Sequence, residues 1–263
     1  MSQPQNGAGF ADYHLHTEHS YCCEDITAQR LADFARNWPH PLAITDHSAH
    51  FVYGPSVWRD FGSDAAAALM EARRTEARQA VLAYIEKMRS LMNGRALLGT
   101  ELDVLPDGRP VFPEELLPRL DILVGAVHVL PSIRQSLPHA EVMREWRGQV
   151  TALMGLGVHI LAHPFRLLMQ KQIPVTAEDV EWVVETARHH GAALELNSHY
   201  RFPELDRQMV SACLRAGVKV AIGTDAHRWD EVGAFSYHEA VLSECGVTTP
   251  EARHKLLYRH EGP

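Results

Sequence analysis

Two short stretches at opposite ends of the chain carry residue types that bind metals. One is Asp12-Tyr13-His14-Leu15-His16-Thr17 and the other is Thr224-Asp225-Ala226-His227. In an extended strand, residues i and i+2 share a face, so His14 and His16 would project side by side, as would Asp225 and His227. A site fed from both ends must lie where those ends converge. Four more groups of the same kind lie between them: His47, Glu101, His128 and His163. Together these make six imidazoles and two carboxylates. Buried without a cation, such a set would leave donors and acceptors unpaired and carboxylates uncompensated. A multinuclear centre satisfies all of them, and nitrogen with carboxylate donors suits Zn, Mn or Fe rather than Ca or Mg. The chemistry expected of such a site is metal-assisted hydrolysis.

The elements that would position these groups follow from the hydrophobic pattern. Strands are expected over 10–16, 41–47, 96–104, 120–128, 158–163, 192–197 and 218–225. Between them, helical spacing and caps predict helices over 26–38, 64–92 (opening at an Asp64 cap), 140–156, 177–190 and 204–216, with closing helices over 239–245 and 250–258. The arginines Arg73, Arg74 and Arg78 read as a solvated helix face. Residues 50–61 read as irregular and aromatic (Phe51, Tyr53, Trp58, Phe61), either a packed loop or a lid. Strands and helices alternate without a linker, which predicts one α/β domain over 10–263, a (β/α)7 barrel, behind a loose leader at 1–9 that lacks the apolar core of a signal peptide. Every ligand-type residue then falls at the C-terminal end of a strand, the face where such barrels carry their chemistry.

Composition narrows the function classes. With 263 residues and 46% hydrophobic content, the chain can bury a substantial core. A net charge of -8 argues against nucleic acid as an obligatory partner. Four cysteines without a paired spacing point to a reducing compartment, the cytoplasm. No apolar run reaches transmembrane length, so no membrane partner is expected.

The ordered motifs His14-Leu15-His16-Thr17, Ile44-Thr45-Asp46-His47, Gly99-Thr100-Glu101, Gly125-Ala126-Val127-His128, Ala162-His163-Pro164 and Gly223-Thr224-Asp225-Ala226-His227 resemble the PHP (polymerase and histidinol phosphatase) family. The resemblance covers about residues 10 to 230. It implies a distorted, TIM-like (β/α)7 barrel with a trinuclear Zn, Mn or Fe site that hydrolyses phosphoesters. The eight positions above match the family's metal ligands. Asp46 is not in that set, and its expected part is to hold His47. The family usually adds a His or Asp a few residues after the second histidine of the first motif. Here His19, Cys22, Glu24 and Asp25 are all open for that slot; if none fills it, two metals rather than three are expected. Cys22 and Cys23 read otherwise as two buried small residues.

Within the family, Gly125-Ala126-Val127-His128 and Glu195-Leu196-Asn197-Ser198-His199-Tyr200-Arg201 resemble segments of histidinol-phosphate phosphatases. This resemblance makes Arg201 a candidate to grip a substrate phosphate, and Arg166 is a second, since a guanidinium offers a planar fork of donors. Asn197 is expected to orient a neighbour. The implied activity is a phosphomonoesterase on a small molecule such as L-histidinol phosphate, in histidine biosynthesis, with a metal-bridging hydroxide as nucleophile. Asp225 or a nearby histidine could protonate the leaving alkoxide. Three other readings compete: a phosphodiesterase or nuclease, a phosphotyrosine phosphatase (from His163-Pro164-Phe165-Arg166), and a non-catalytic metal-binding barrel. The last would be expected to have lost ligands, and eight intact positions weigh against it.

Overall fold

A computed structural model describes residues 9–63 and 65–261, apart from the side chains of Trp58 and Arg59. Its seven strands are β1 (Asp12–Leu15), β2 (Leu42–Ile44), β3 (Leu97–Leu102), β4 (Ile122–Gly125), β5 (Ile160–Leu161), β6 (Ala193–Asn197) and β7 (Val220–Gly223). They lie in one sheet in sequence order, each parallel to the next. Just beyond the strands the sheet curls back on itself: His16 N donates to Ala226 O at 3.2 Å and Asp225 N donates to His14 O at 2.8 Å. Asp12 clasps the same seam, accepting from Thr224 N at 2.9 Å and Thr224 Oγ1 at 2.6 Å. The fold is the expected (β/α)7 barrel, and its closure brings the first and last motifs together.

Period-two alternation sorts the strand residues. Ala193 packs with Ala43, Ile122, Val124, Ile160 and Ala221, whereas Leu194 and Leu196 join the large cluster beneath the helices. Glu195 and Asn197 share the face of Ala193, so an apolar floor gives way to polar side chains toward the strand ends. Helix ends are fixed by capping side chains and by glycines. Thr27 accepts from Arg30 N, Thr176 and Asp179 form a reciprocal capping box, and Gly191 and Gly217 adopt positive φ at helix C-termini.

Three expectations change. The long helix divides into Ala66–Ala72 and Arg74–Met92 around Arg73; the Asp64 cap lies outside the described residues, as do residues 1–8 of the leader expected over 1–9. Arg73 is not part of a solvated face, because its guanidinium donates to Tyr53 O at 2.7 Å and Val52 O at 3.4 Å. Arg74 and Arg78 are exposed, pairing with Glu71 and Glu115. Residues 50–61 are not irregular. They fold as the helices Ser48–Tyr53 and Val57–Phe61 around a 3-10 turn, with Tyr53, Val57 and Phe61 buried against Leu105, Val111 and Val129. No helix among the described residues is long and apolar enough to cross a membrane.

Candidate metal centre

The strand ends deliver all eight anticipated side chains to one buried cluster. Four overlapping groups, His14/His16/Glu101, His14/His163/Asp225, His16/His47/His227 and His47/Glu101/His128, each place one ligand atom per residue within 4.8 Å of the others. Glu101 is the hub: Oε1 lies 2.9 Å from His163 Nε2, 3.1 Å from His128 Nε2 and 3.5 Å from His14 Nε2. Its Oε2 lies 2.5 Å from His47 Nδ1 and 3.6 Å from His16 Nε2. Asp225 Oδ1 lies 3.0 Å from His16 Nε2.

The far side of several rings is pinned. His14 Nδ1 meets Glu195 Oε1 at 2.8 Å, His128 Nδ1 meets Asp103 Oδ1 at 2.9 Å, and His227 Nδ1 meets the Asp225 carbonyl at 2.8 Å. His16 Nδ1 meets Ser20 Oγ at 3.1 Å, and Ser20 in turn donates to Asp46 Oδ1 at 2.6 Å. A proton fixed on each Nδ1 by an acceptor leaves the Nε2 lone pair facing the cluster, the arrangement that orients metal-binding histidines. Asp46 is linked to His47 indirectly. Its carboxylate accepts from Thr17 N, Thr17 Oγ1, Ser20 Oγ and Tyr84 OH, and Ser20 carries the link onward, its Oγ accepting from His47 N at 3.1 Å.

Two of the eight sit in a backbone region that side chains avoid: His163 has φ 26° and Asp225 has φ 52°. Each such residue costs about 1–3 kcal/mol and persists where the surroundings enforce it. Here the enforcement is visible. Glu195 Oε2 accepts from His163 N at 2.8 Å, and Asp225 N is tied to His14 O. Asn197 orients its neighbours, as anticipated, donating to Glu195 Oε2 at 3.0 Å and Asp225 Oδ2 at 3.2 Å.

The electrostatics set burial against the charges of close neighbours. Burial opposes ionisation of Glu101 and Asp225, yet the surrounding imidazoles more than offset it and hold both well below the usual carboxylate range. Burial would lower His14 and His128, but carboxylates outweigh it: Glu195, Asp225 and Glu101 raise His14, and Asp103 and Glu101 raise His128 to about 10. His16 and His47 go the other way. Burial and neighbouring imidazoles push His16 to about 3, and burial, outweighing Glu101, puts His47 at about 4. His14 Nε2 and Glu101 Oε2 remain buried without a hydrogen-bond partner of proper geometry. Divalent cations fit this donor set: they would use the inward nitrogens and carboxylate oxygens, and pinned outer nitrogens favour that use.

The two arginines part company. Arg166 is half-buried with its guanidinium 4.3 Å over the Tyr200 ring, which stands edge-on to His163 at 5.7 Å; its Nε has no hydrogen-bond partner. Arg201 is exposed, donates to Ser198 O at 2.8 Å and lies over Tyr237, and no hydrogen bond, ion pair or ring contact links it to the cluster. Among the residues open for the remaining slot, His19 pairs with Lys87, and Asp25 caps Trp229 N and faces Arg30. Glu24 is exposed, and Cys22 Sγ alone reaches the cluster, 3.2 Å from His227 Nε2. Neither Cys22 nor Cys23 is fully buried.

Glu195, Asp103, Asp12 and Ser20 were not singled out as site residues by sequence. A signal existed for three of them: each carboxylate lies two positions from a residue already assigned to the site face (Asp12 from His14, Asp103 from Glu101, Glu195 from Asn197).

A model of the PHP domain matches residues 12–199. The chain is 28% identical over 216 residues to the DNA polymerase/3'-5' exonuclease PolX of Bacillus subtilis, an alignment covering 82% of this chain but 34% of that protein. It is 25% identical over 248 residues to a protein of Caldanaerobacter subterraneus named a probable phosphatase, covering 91% of this chain and 84% of that one. Another so named, from Acetivibrio thermocellus, is 28% identical over 240 residues, covering 89% and 86%. Among solved structures, the histidinol phosphate phosphatase of Lactococcus lactis, complexed with zinc, L-histidinol and phosphate, superimposes with a TM-score of 0.57 at 12% identity, covering 90% of this chain and 94% of that one.

Proposed function

The chain belongs to the PHP domain family, and from that premise we propose that it is a metal-dependent phosphomonoesterase acting on a small molecule. One observation carries the reading: seven ligand-type side chains converge around an eighth, the buried Glu101, and a half-buried guanidinium stacks on the Tyr200 ring that stands edge-on to His163. In the reading, His14, His16, His47, Glu101, His128, His163, Asp225 and His227 hold two or three divalent ions, Zn, Mn or Fe. Bound there, such ions supply Lewis-acid polarisation of the phosphoryl oxygens and a water acidic enough to attack at neutral pH.

The chain's own residues do the rest. Glu195, Asp103 and Ser20 hold His14, His128 and His16 in the orientation that leaves Nε2 inward. Arg166, fixed in place by its stack on Tyr200, binds the phosphate and opposes charge developing in the transition state. Arg201 serves the turn after β6 through Ser198 and takes no part in phosphate binding. L-Histidinol phosphate is the substrate we put first, on the resemblance of the Gly125–His128 and Glu195–Arg201 segments and on the fold shared with the Lactococcus lactis enzyme.

The PolX relative supports a second reading, hydrolysis of a phosphodiester or a nucleic-acid end. A panel distinguishes the two. Metal-reconstituted protein is assayed for phosphate release from histidinol phosphate, an aryl phosphate and a phosphotyrosine peptide, and for cleavage of an aryl diester and single-stranded DNA. Preference for histidinol phosphate supports the first reading. Preference for the aryl phosphate retains the monoesterase and drops the named substrate. Preference for the diester or DNA moves the protein to the second.

A further inference from the structure

Cys22 and Cys23 are adjacent, yet their thiols diverge. Cys23 Sγ faces main-chain carbonyls, Ile26 O at 3.5 Å and His227 O at 3.4 Å. Cys22 Sγ turns to the cluster, 3.2 Å from His227 Nε2 and in one group with His47 and His50 whose ligand atoms lie within 4.8 Å of one another. His227 and His47 are also two members of the group they form with His16. The thiol therefore stands at the edge of a three-imidazole set, where a tetrahedral site has room for a fourth donor. Bond lengths of about 2.3 Å to sulfur and about 2.0–2.1 Å to nitrogen separate two donors of one tetrahedral ion by about 3.5 Å, within a few tenths of the spacing seen here. A second observation points the same way. Glu101 Oε2, fully buried, lies 2.5 Å from His47 Nδ1 and 3.6 Å from His16 Nε2, so a carboxylate faces two of the three imidazoles that the thiol borders.

His50 does not complete the set. Its Nδ1 accepts from Tyr21 N at 2.9 Å, so the neutral ring carries its proton on Nε2 and acts as a donor. Nor do His19, Glu24 or Asp25, whose placements lie elsewhere.

We propose that Cys22 is a thiolate ligand to the ion held by His16, His47 and His227, filling with sulfur a position for which the family ordinarily uses nitrogen or oxygen. The proposal rests on the metal-centre reading above. On binding, the Sγ–H bond is exchanged for an Sγ–metal bond and the proton leaves to solvent. A soft donor at this position favours Zn or Fe over Mn. It also makes retention of this one ion sensitive to modification of a single thiol.

The test uses the full chain reconstituted with Co²⁺, read by absorption rather than turnover. Wild type is expected to show a near-ultraviolet thiolate-to-cobalt charge-transfer band that Cys23→Ser keeps and both Cys22→Ser and Cys22→Asp lose, with Cys22→Asp still binding the full complement of cobalt. In unmutated protein, metal loading should slow alkylation of Cys22 by at least about tenfold, read by peptide mass spectrometry, which covers the case of variants that fail to fold. A full complement of cobalt with no such band, or a band unchanged in Cys22→Ser, overturns the thiolate ligand and leaves the metal centre standing. Alkylation of Cys22 at the same rate with and without metal also overturns it. A chain that binds no cobalt overturns both.

Discussion

Glu195 illustrates how much of the site depends on residues that need not touch substrate. One carboxylate orients His14, supports the strained amide of His163 and accepts from Asn197. Glu195→Gln keeps the size and removes the charge; it is expected to weaken metal retention about 10–100-fold, measured by competition with a chelator, while unfolding stays cooperative. Arg166→Ala should leave metal content intact and lower kcat/KM on a monoester by about tenfold or more, the loss of a charge-assisted contact of roughly 1.5–3 kcal/mol; Arg201→Ala should change it little. A third prediction concerns Asp206, away from the cluster. Burial, only partly offset by the Tyr237 hydroxyl, raises its carboxyl from 3.8 to about 6. The folded chain then binds more protons than the unfolded chain between those values, so this group's contribution to stability falls as pH rises from about 4 to about 6. Measured by urea unfolding, Asp206→Asn should gain on wild type by on the order of 2 kcal/mol between pH 4 and pH 7. A difference that stays flat across that range contradicts the assignment. At this scale the convergence of the eight side chains was legible, because His, Asp and Glu recur at the ends of most of the apolar strands of one barrel. The direction of the Arg201 guanidinium, toward Ser198 O and Tyr237, was not, because a guanidinium's reach depends on the turn that carries it.

Elements place these residues, and their small residues are as exacting as their large ones. A Cβ built on Gly223 of β7 would stand 1.9 Å from Glu195 Oε1 and 2.9 Å from His14 Cβ. Gly223→Ala must therefore displace Glu195, His14 or the strand. The expected result is a drop in metal affinity at least as large as that of Glu195→Gln together with loss of stability, read by chelator competition and by thermal unfolding. Element existence was readable wherever apolar runs alternated with capped helices, as with Thr176–Asp179 and Gly191 around the helix Ala177–His190. It failed at Arg73, where a helix-favouring run bends so that one guanidinium can satisfy the carbonyls ending Ser48–Tyr53. That contact joins residues twenty and twenty-one positions apart, beyond the reach of local periodicity. The aromatic stretch 50–61 misled for a related reason: Gly54-Pro55 interrupts the pattern, but helices stand on both sides of it.

For the whole molecule, the decisive feature is that the chain closes on itself through the site. β1 and β7 meet by two main-chain hydrogen bonds at their C-terminal ends and by the Asp12–Thr224 clasp, and the side chains His14, His16, Asp225 and His227 straddle that seam. Metal bound there ties the first strand to the last, so its binding energy adds to the folding energy of the entire barrel. At a hundredfold excess of metal over the dissociation constant the gain is about 2.7 kcal/mol per site. Removal of metal should accordingly lower the unfolding temperature by several degrees and expose the seam first, with amide exchange accelerating at residues 12–17 and 223–227 before the remaining strands. The claim on which everything else depends is that eight converging side chains constitute a multinuclear centre, and elemental analysis of the reconstituted, dialysed protein measures it directly. The account predicts two or three equivalents of Zn, Mn or Fe per chain, falling in His14→Ala and Asp225→Ala. One equivalent or none in the folded wild-type chain would contradict it.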